Sequence, residues 1–277
     1  MERVDAFAEL KKNKTAMVGL ILITLLLILA IIGPWISPHN PLTPDPINRL
    51  RGSSWTHPFG TDSLGRDILS RVIYGSRISI IIGLIAVSIS LVPGVILGLL
   101  SGFYGRRVDE PIMRLMDIML AFPAILLAIF ITAILGPSLL NTMIAVGIVY
   151  IPHYARIVRS SALSLKEQLF VQAVRSLGGS NLRIIALHIF PNTIPPIIVY
   201  ATLGMGTAVL QAAALGFLGL GAQPPTPEWG AMLSEGRQYI QNAPHVAAFP
   251  GLAIFTLVLG FNLFGDGLRD VLDPSLR

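Results

Sequence analysis

The chain has 277 residues, 53% of them hydrophobic and only 13% charged, with a net charge of +5 and a mean hydropathy of +0.71. A soluble domain carries about 25% charged residues, and a chain of this size cannot bury so much apolar surface on its own, so it belongs in a bilayer. The absence of cysteine excludes disulfides, thiolate metal sites, iron–sulfur clusters and thiol catalysis.

A spanning helix needs about 20 apolar residues to cross ~30 Å of hydrocarbon. Six runs meet this in order: Ala16–Ile36, Ile78–Ser101, Met116–Leu135, Leu140–Val158, Thr193–Leu215 and Val246–Phe264. Backbone groups in lipid must pair within their own segment, so these runs are helices. The predicted fold is all-α and polytopic, with about six transmembrane helices. The first run follows Lys11, Lys12 and Lys14, as a signal peptide would. Its apolar part is too long and no small-residue cleavage site follows, so it reads as a retained anchor.

With the N-terminus in the cytosol, 14 of the 20 Lys and Arg residues lie inside and 6 outside. That asymmetry favours both termini in the cytosol and explains the basic balance without nucleic acid. Arg49, Arg51, Arg66, Arg71 and Arg77 in the first outer segment oppose the rule. Within that segment, Asp62–Ser76 places Leu64, Ile68, Leu69, Val72 and Ile73 at helical spacing opposite Arg66, Asp67 and Arg71. It is either an amphipathic helix lying on membrane lipid or a loop helix packed on the protein. The organisation expected is an anchor and extracytoplasmic segment over residues 1–77, followed by a five-helix core over 78–277.

Gly94, Gly98 and Gly102 form a small-residue stripe suited to close helix packing. Pro93, Pro123, Pro152 and Pro250 interrupt spans, either as kinks around a moving pore or as ordinary membrane packing. Asp117 near the start of the third span is expected to pair with Arg114 or Arg107. His153, Tyr154, Arg156 and Arg159 read as a solvated helix end rather than a catalytic cluster. Gln211 and Asn262 are candidates for a translocation path, or for hydrogen bonds to a neighbouring helix. Pro224, Pro225 and Pro227 stiffen an outer loop, and Trp229 suits the membrane interface, which together suggest a rigid ledge for an external partner. No Gly-Lys pair exists, so no P-loop binds nucleotide. No nucleophile–base pair, metal set or cofactor motif marks an enzyme, and carboxylates are too few and too shallow for a proton-coupled carrier.

The segment 160–192 is polar, Arg-bearing and glycine-interrupted between two apolar runs. Ser160 or Ser164 is expected to cap a helix running to Leu177, Gly178–Gly179 to break it, and Ser180 to cap a second helix, Asn181–Phe190, which Pro191 separates from the next span. Such a shape is a knob facing the cytosol.

Gln172-Ala173-Val174, three residues, Gly178, nine residues, then His188-Ile189-Phe190-Pro191 resembles the cytoplasmic signature of permeases of bacterial binding-protein-dependent ABC importers, Glu-Ala-Ala, three residues, Gly, nine residues, Ile-x-Leu-Pro. Gln172, Val174, His188 and Phe190 depart from it. Gly60-Thr61-Asp62-Ser63-Leu64-Gly65-Arg66-Asp67, Ala214–Gly221 with Gln223–Gly230, and Gly265–Pro274 resemble segments of the dipeptide/oligopeptide subgroup, in particular its second, or C-type, permease. The resemblance implies a type I ABC importer permease fold in the bacterial inner membrane whose coupling helix sits in a cleft of an ATPase subunit. Gln172, Ala173, Arg175, Gly178, Gly179, Arg183 and Pro191 would then make the coupling surface. It also implies as partners a homologous second permease, two ATP-binding subunits and an extracytoplasmic substrate-binding protein, and as cargo short peptides or, among relatives, nickel, glutathione or oligosaccharides.

Overall fold

The computed structural model describes residues 6–272. Among them the regular structure is helical, with a single isolated bridge between Thr61 and Asp67 and no strand. The helices are α1 (Ala6–Lys12), α2 (Lys14–Ile36), α3 (Ile68–Tyr104), α4 (Arg106–Leu120), α5 (Ala124–Leu135), α6 (Leu139–Lys166), α7 (Leu169–Ser176), α8 (Asn181–Ile184), α9 (Phe190–Phe217), α10 (Trp229–Gly236) and α11 (His245–Leu272). The six apolar runs fall in α2, α3, α4–α5, α6, α9 and α11.

Four helices are individually long and apolar enough to span: α2, α3, the continuous stretch Asn181–Phe217, and α11. The third predicted span is not one helix, because α4 and α5 meet at a 90° bend. The cause is local: Ala121 closes α4 by donating to Asp117 and Ile118, and Pro123, extended at ψ 128, lacks an N–H and disfavours helix at Phe122. Pro93, Pro152 and Pro250 instead lie inside continuous helices. The 28-residue α6 has the length to span, but its second half carries His153, Arg156, Arg159 and Lys166.

The central helix is α3, whose 37 residues make a rod of about 55 Å at ~1.5 Å per residue. It runs through residue 77, so the expected division at 77/78 falls inside one helix. Along its lower half the glycine stripe lies against α6. An added Cβ would meet Tyr154 Cβ at Gly94, the Ala155 carbonyl at Gly98 and Ala162 Cβ at Gly102, all within 2.7 Å. The stripe is a packing seam.

The head of α3 settles the nature of the 62–76 segment. Residues 68–76 are the first turns of α3, and Asp62, Arg66, Asp67 and Arg71 are buried. The segment therefore packs on protein rather than on lipid. Arg66 Nε donates to Asp62 Oδ2 at 2.6 Å and Arg66 Nη2 to Glu235 Oε2 at 2.8 Å, while Arg71 Nη2 reaches the same oxygen at 3.3 Å. Those two arginines break the positive-inside count because they serve a buried ion network and do not face phosphates. Asp62 also accepts from the Leu64 and Arg66 N–H groups, and Gly65 at φ +79 closes the turn that allows it.

Trp229, expected at the membrane interface, is fully buried, and its Nε1 donates to the Val72 carbonyl at 3.0 Å. Glu228 caps α10 through the Gly230 and Ala231 N–H groups. Burial pushes its carboxyl above the usual range, against the opposing pull of those two donors. At this knuckle Gly216 and Gly230 let α9 and α10 touch backbone to backbone, and Gly75 leaves room on α3 for the Trp229 ring and the Pro227 carbonyl. The outer loop thus forms a packed cap, and Pro227 and Trp229 tie it to α3. Of the C-terminal motif, Asp273 and Pro274 lie outside the described residues.

The outward faces stay apolar: Ile31 and Trp35 on α2, Phe130 and Ile134 on α5, and Leu252 and Phe255 on α11 are all exposed. Only lipid or another subunit accommodates such faces.

Candidate coupling site

The segment after α6 forms the protrusion expected, by a different route. Neither Ser160 nor Ser164 begins a helix, since α6 continues unbroken to Lys166. The chain reverses at Glu167–Gln168 and starts α7, with Gln168 as an N-cap that makes no side-chain bond. At its other end α7 closes in a Schellman motif. The Gly178 N–H bonds the Arg175 carbonyl and the Gly179 N–H bonds the Val174 carbonyl, both at 3.0 Å. That geometry requires a left-handed residue, and Gly178 supplies it at φ +80. Gly179 follows because its α-carbon rests against Val174, whose Cγ1 would lie 2.6 Å from an added Cβ.

Ser180 then caps α8, accepting from the Arg183 N–H at 3.4 Å. Pro191 does not separate this helix from the next span. A π turn over Ile185–Ile189 joins α8 to α9, with the Phe190 N–H donating to the Ile185 carbonyl. The wider turn shifts the hydrogen-bond register just ahead of the proline, so the missing N–H falls in the first turn of α9, where its loss is tolerated. The result is one continuous path from the protrusion into the membrane.

The protrusion has a firm underside and an open top. Val171, Ile184, Ile185 and Ile189 are buried against Val95, Leu99, Phe103, Val158 and Ala162 of α3 and α6. Gln172, Ala173, Arg175, Gly178, Arg183 and Pro191 are each exposed, with Gly179 half-buried. The Gln172 amide donates to the Glu167 carbonyl at 3.1 Å, and the Arg175 guanidinium lies 5.8 Å from the Phe103 ring centroid. Sequence reading missed the leucines. Leu169, Leu177 and Leu182 are 81%, 89% and 75% exposed on this surface. Their signal lay in the sequence as apolar residues on the face opposite Val171 and Ile184.

Ion pairs hold α4 under α6 beside the protrusion. Arg159 grips Asp109 with Nε and Nη2, both at 2.5 Å. Asp117 pairs with Arg156 at 2.5 Å, not with Arg114 or Arg107. The expected polar cluster is thereby split. The two arginines face α4, whereas His153 and Tyr154 join Tyr150, Tyr200 and Thr207 around a cavity of about 220 Å³ between α6 and α9. Tyr154 donates to the Tyr200 carbonyl at 3.3 Å. Neither proposed path residue lines this cavity: Gln211 faces the Tyr150 hydroxyl, and Asn262 is exposed across from Gly206.

Residues 94–277, which contain the protrusion, match the family described as binding-protein-dependent transport system inner membrane component, and residues 3–52 match the N-terminal transmembrane domain of oligopeptide transport permease C. The chain belongs to this permease family. It is 56% identical to the dipeptide transport system permease protein DppC of Alkalihalophilus pseudofirmus, over 99% of this chain and 90% of that one. It is 50% identical to the di/tripeptide transport system permease protein DppC of Pseudomonas aeruginosa, over 96% and 89%. The glutathione transport system permease protein GsiD of Escherichia coli is also 50% identical, over 99% and 90%. In fold it is similar to an inward-facing MetNI methionine ABC transporter, with a TM-score of 0.59 at 20% identity over 74% of this chain and 97% of that one. The chain is therefore a multi-pass inner-membrane permease component. Its departures from the family signature are local. Val174 fills the space under Gly179, and Gln172 keeps a polar group at the exposed position without a charge.

Proposed function

We propose that this permease forms half of the translocation path of an ATP-driven importer for dipeptides or short oligopeptides, and that segment 160–192 is its docking surface for an ATPase subunit. The observation that carries the reading is the top of the protrusion. It is an apolar, leucine-bearing surface held rigid from below by the isoleucine–valine underside and closed by the turn at Gly178. Exposed leucines beside Arg175 and Arg183 on a soluble-facing knob call for a protein partner. The relatives' names supply the cargo class. The chain itself hydrolyses nothing; ATP is bound by two separate subunits, a homologous permease completes the path, and an extracytoplasmic binding protein delivers the peptide to the packed cap at the head of α3. Both termini and the knob face the cytosol, with the anchor and outer segment over residues 1–77 flanking the five-helix core.

Coupling requires the ATPase to contact the knob differently in its two states, because equal grip shifts no equilibrium. The continuous route from α8 through the π turn into α9 carries that force to the spans, and α6 carries it from the other side. Gln211 and Asn262 are assigned to the translocation path. The test is dipeptide uptake into proteoliposomes containing the whole complex. Gly178→Pro removes both the left-handed conformation and the N–H bond to Arg175, so uptake and transport-linked ATP hydrolysis are lost while membrane insertion persists. Uptake at the wild-type rate in that variant defeats the docking assignment, and uphill uptake by this chain without ATPase subunits defeats the function. The glutathione relative supports a second cargo reading, distinguished by which of dipeptide or glutathione competes for uptake.

A further inference from the structure

We propose that His39, His57 and Asp67 form a binding site for one divalent transition-metal cation of the zinc class at the head of α3. The ligand atoms of these three residues all lie within 4.8 Å of one another. His57 Nδ1 is 2.9 Å from Asp67 Oδ1, and His39 Nδ1 is 3.8 Å from Asp67 Oδ2. A tetrahedral Zn²⁺ with ligands at about 2.0–2.2 Å holds neighbouring ligand atoms about 3.3 Å apart. The two distances bracket that value and the imidazole nitrogens lie no more than 4.8 Å apart, so side-chain rotations that move ligand atoms by up to about 1.5 Å close the site. The two imidazoles already stack with centroids 4.6 Å apart.

Charge argues for a cation here. Asp67 is a carboxylate whose side chain is 1% exposed, and its neighbours Arg66 and Arg71 turn to Asp62 and Glu235 instead. Besides His57, it accepts from the Ser70 N–H at 2.8 Å and the Ser70 hydroxyl at 2.6 Å. Among the described residues no lysine or arginine pairs with it, and a buried anion calls for a positive charge.

The supporting shell is built as metal sites require. The Ser70 hydroxyl that orients Asp67 also accepts the His39 backbone N–H at 3.1 Å, and the Ser54 hydroxyl accepts the His57 N–H at 3.1 Å. One serine thus fixes two of the three ligand residues. His39 is 41% exposed at its side chain and also lines a cavity of about 570 Å³ beside Tyr74 and Arg77, so its side of the site is open to water. For His57 to ligate through Nδ1, its ring carries the proton on Nε2. Two imidazoles and one carboxylate select Zn²⁺, Co²⁺ or Ni²⁺ over Mg²⁺ and Ca²⁺. The cation would staple the loop leaving α2 to the first turn of α3, a role separate from the coupling surface at the far end of that helix.

The experiment uses the purified full-length chain carrying a histidine-free affinity tag, stripped with chelator and titrated with Co²⁺ alone. The expected result is one Co²⁺ per chain with the visible band of a tetrahedral site, displaced by Zn²⁺. His39→Ala, on an exposed loop and harmless to folding, weakens binding about 100-fold or more, and Ser70→Ala about 10–100-fold. His188→Ala leaves it unchanged. Absence of the band at stoichiometric Co²⁺, or unaltered affinity in His39→Ala, overturns the site.

Discussion

Two single residues separate what backbone geometry demands from what packing demands. At Gly178 an added Cβ meets nothing within 4 Å, yet φ is +80. Gly178→Ala therefore costs only the left-handed strain, about 1–2 kcal/mol, and leaves the hydrogen bonds intact. Coupled uptake is expected to fall partially in Gly178→Ala and to vanish in Gly178→Pro; equal rates in the two would detach the turn from the coupling. Trp229 makes the opposite case, with ordinary backbone and a side chain wedged between α3 and α9. Trp229→Phe keeps much of the ring but loses the donor to Val72, at about 0.5–1.5 kcal/mol, whereas Trp229→Ala opens a cavity costing about 3–5 kcal/mol. Thermal unfolding in detergent should rank wild type, Phe and Ala in that order. The glycine was legible in the sequence because few residues tolerate a left-handed turn. The tryptophan was not, since a ring that suits an interface suits a core equally well.

Between elements, the pairing of α4 with α6 turns on how wet each ion pair is. Arg156 and Asp117 are 51% and 59% exposed at their side chains, while Arg159 and Asp109 are 33% and 16%. Exposed pairs contribute about 0–1 kcal/mol, and a forked, less hydrated pair contributes more, up to about 3 kcal/mol. Asp109→Asn should lower the unfolding temperature distinctly and Asp117→Asn hardly at all; the reverse order would mean that the forked geometry adds no stability. Sequence alone offered Arg114 or Arg107 for Asp117 because it reveals only partners close along the chain, and the true partner arrives 39 residues later on another helix. The same limit hid the bend at Pro123 and the buried network of Arg66 and Arg71. Apolar runs, glycine seams and the Gly178 turn are written in local spacing and were recovered. Long-range polar partnerships have no local period, and hydropathy averages them away.

For the molecule as a whole, orientation is the property on which the coupling mechanism stands. The ion network and packed cap sit at the head of α3, a helix of about 55 Å, and the knob packs on its last turns at Val95, Leu99 and Phe103, so a membrane-spanning α3 would set the two on opposite sides of a bilayer. The chain has no cysteine, so single introduced thiols report sidedness without background. Trp55 is 102% exposed at the head, and Leu177 and Leu182 are 89% and 75% exposed on the knob. In intact cells a membrane-impermeant maleimide should label Trp55→Cys and spare Leu177→Cys and Leu182→Cys, and inside-out vesicles should invert the pattern. Adding the ATPase subunits should slow labelling at both knob positions without touching Trp55→Cys, because the proposed docking covers only the knob. Labelling of Leu177→Cys from the cell exterior would remove the charge-bias argument and the ATPase contact together, since a knob outside the cell has no access to cytosolic ATP. Protection without inversion is impossible if the head and the foot of α3 are where the helix length puts them, so the two arms of the experiment test one rigid lever.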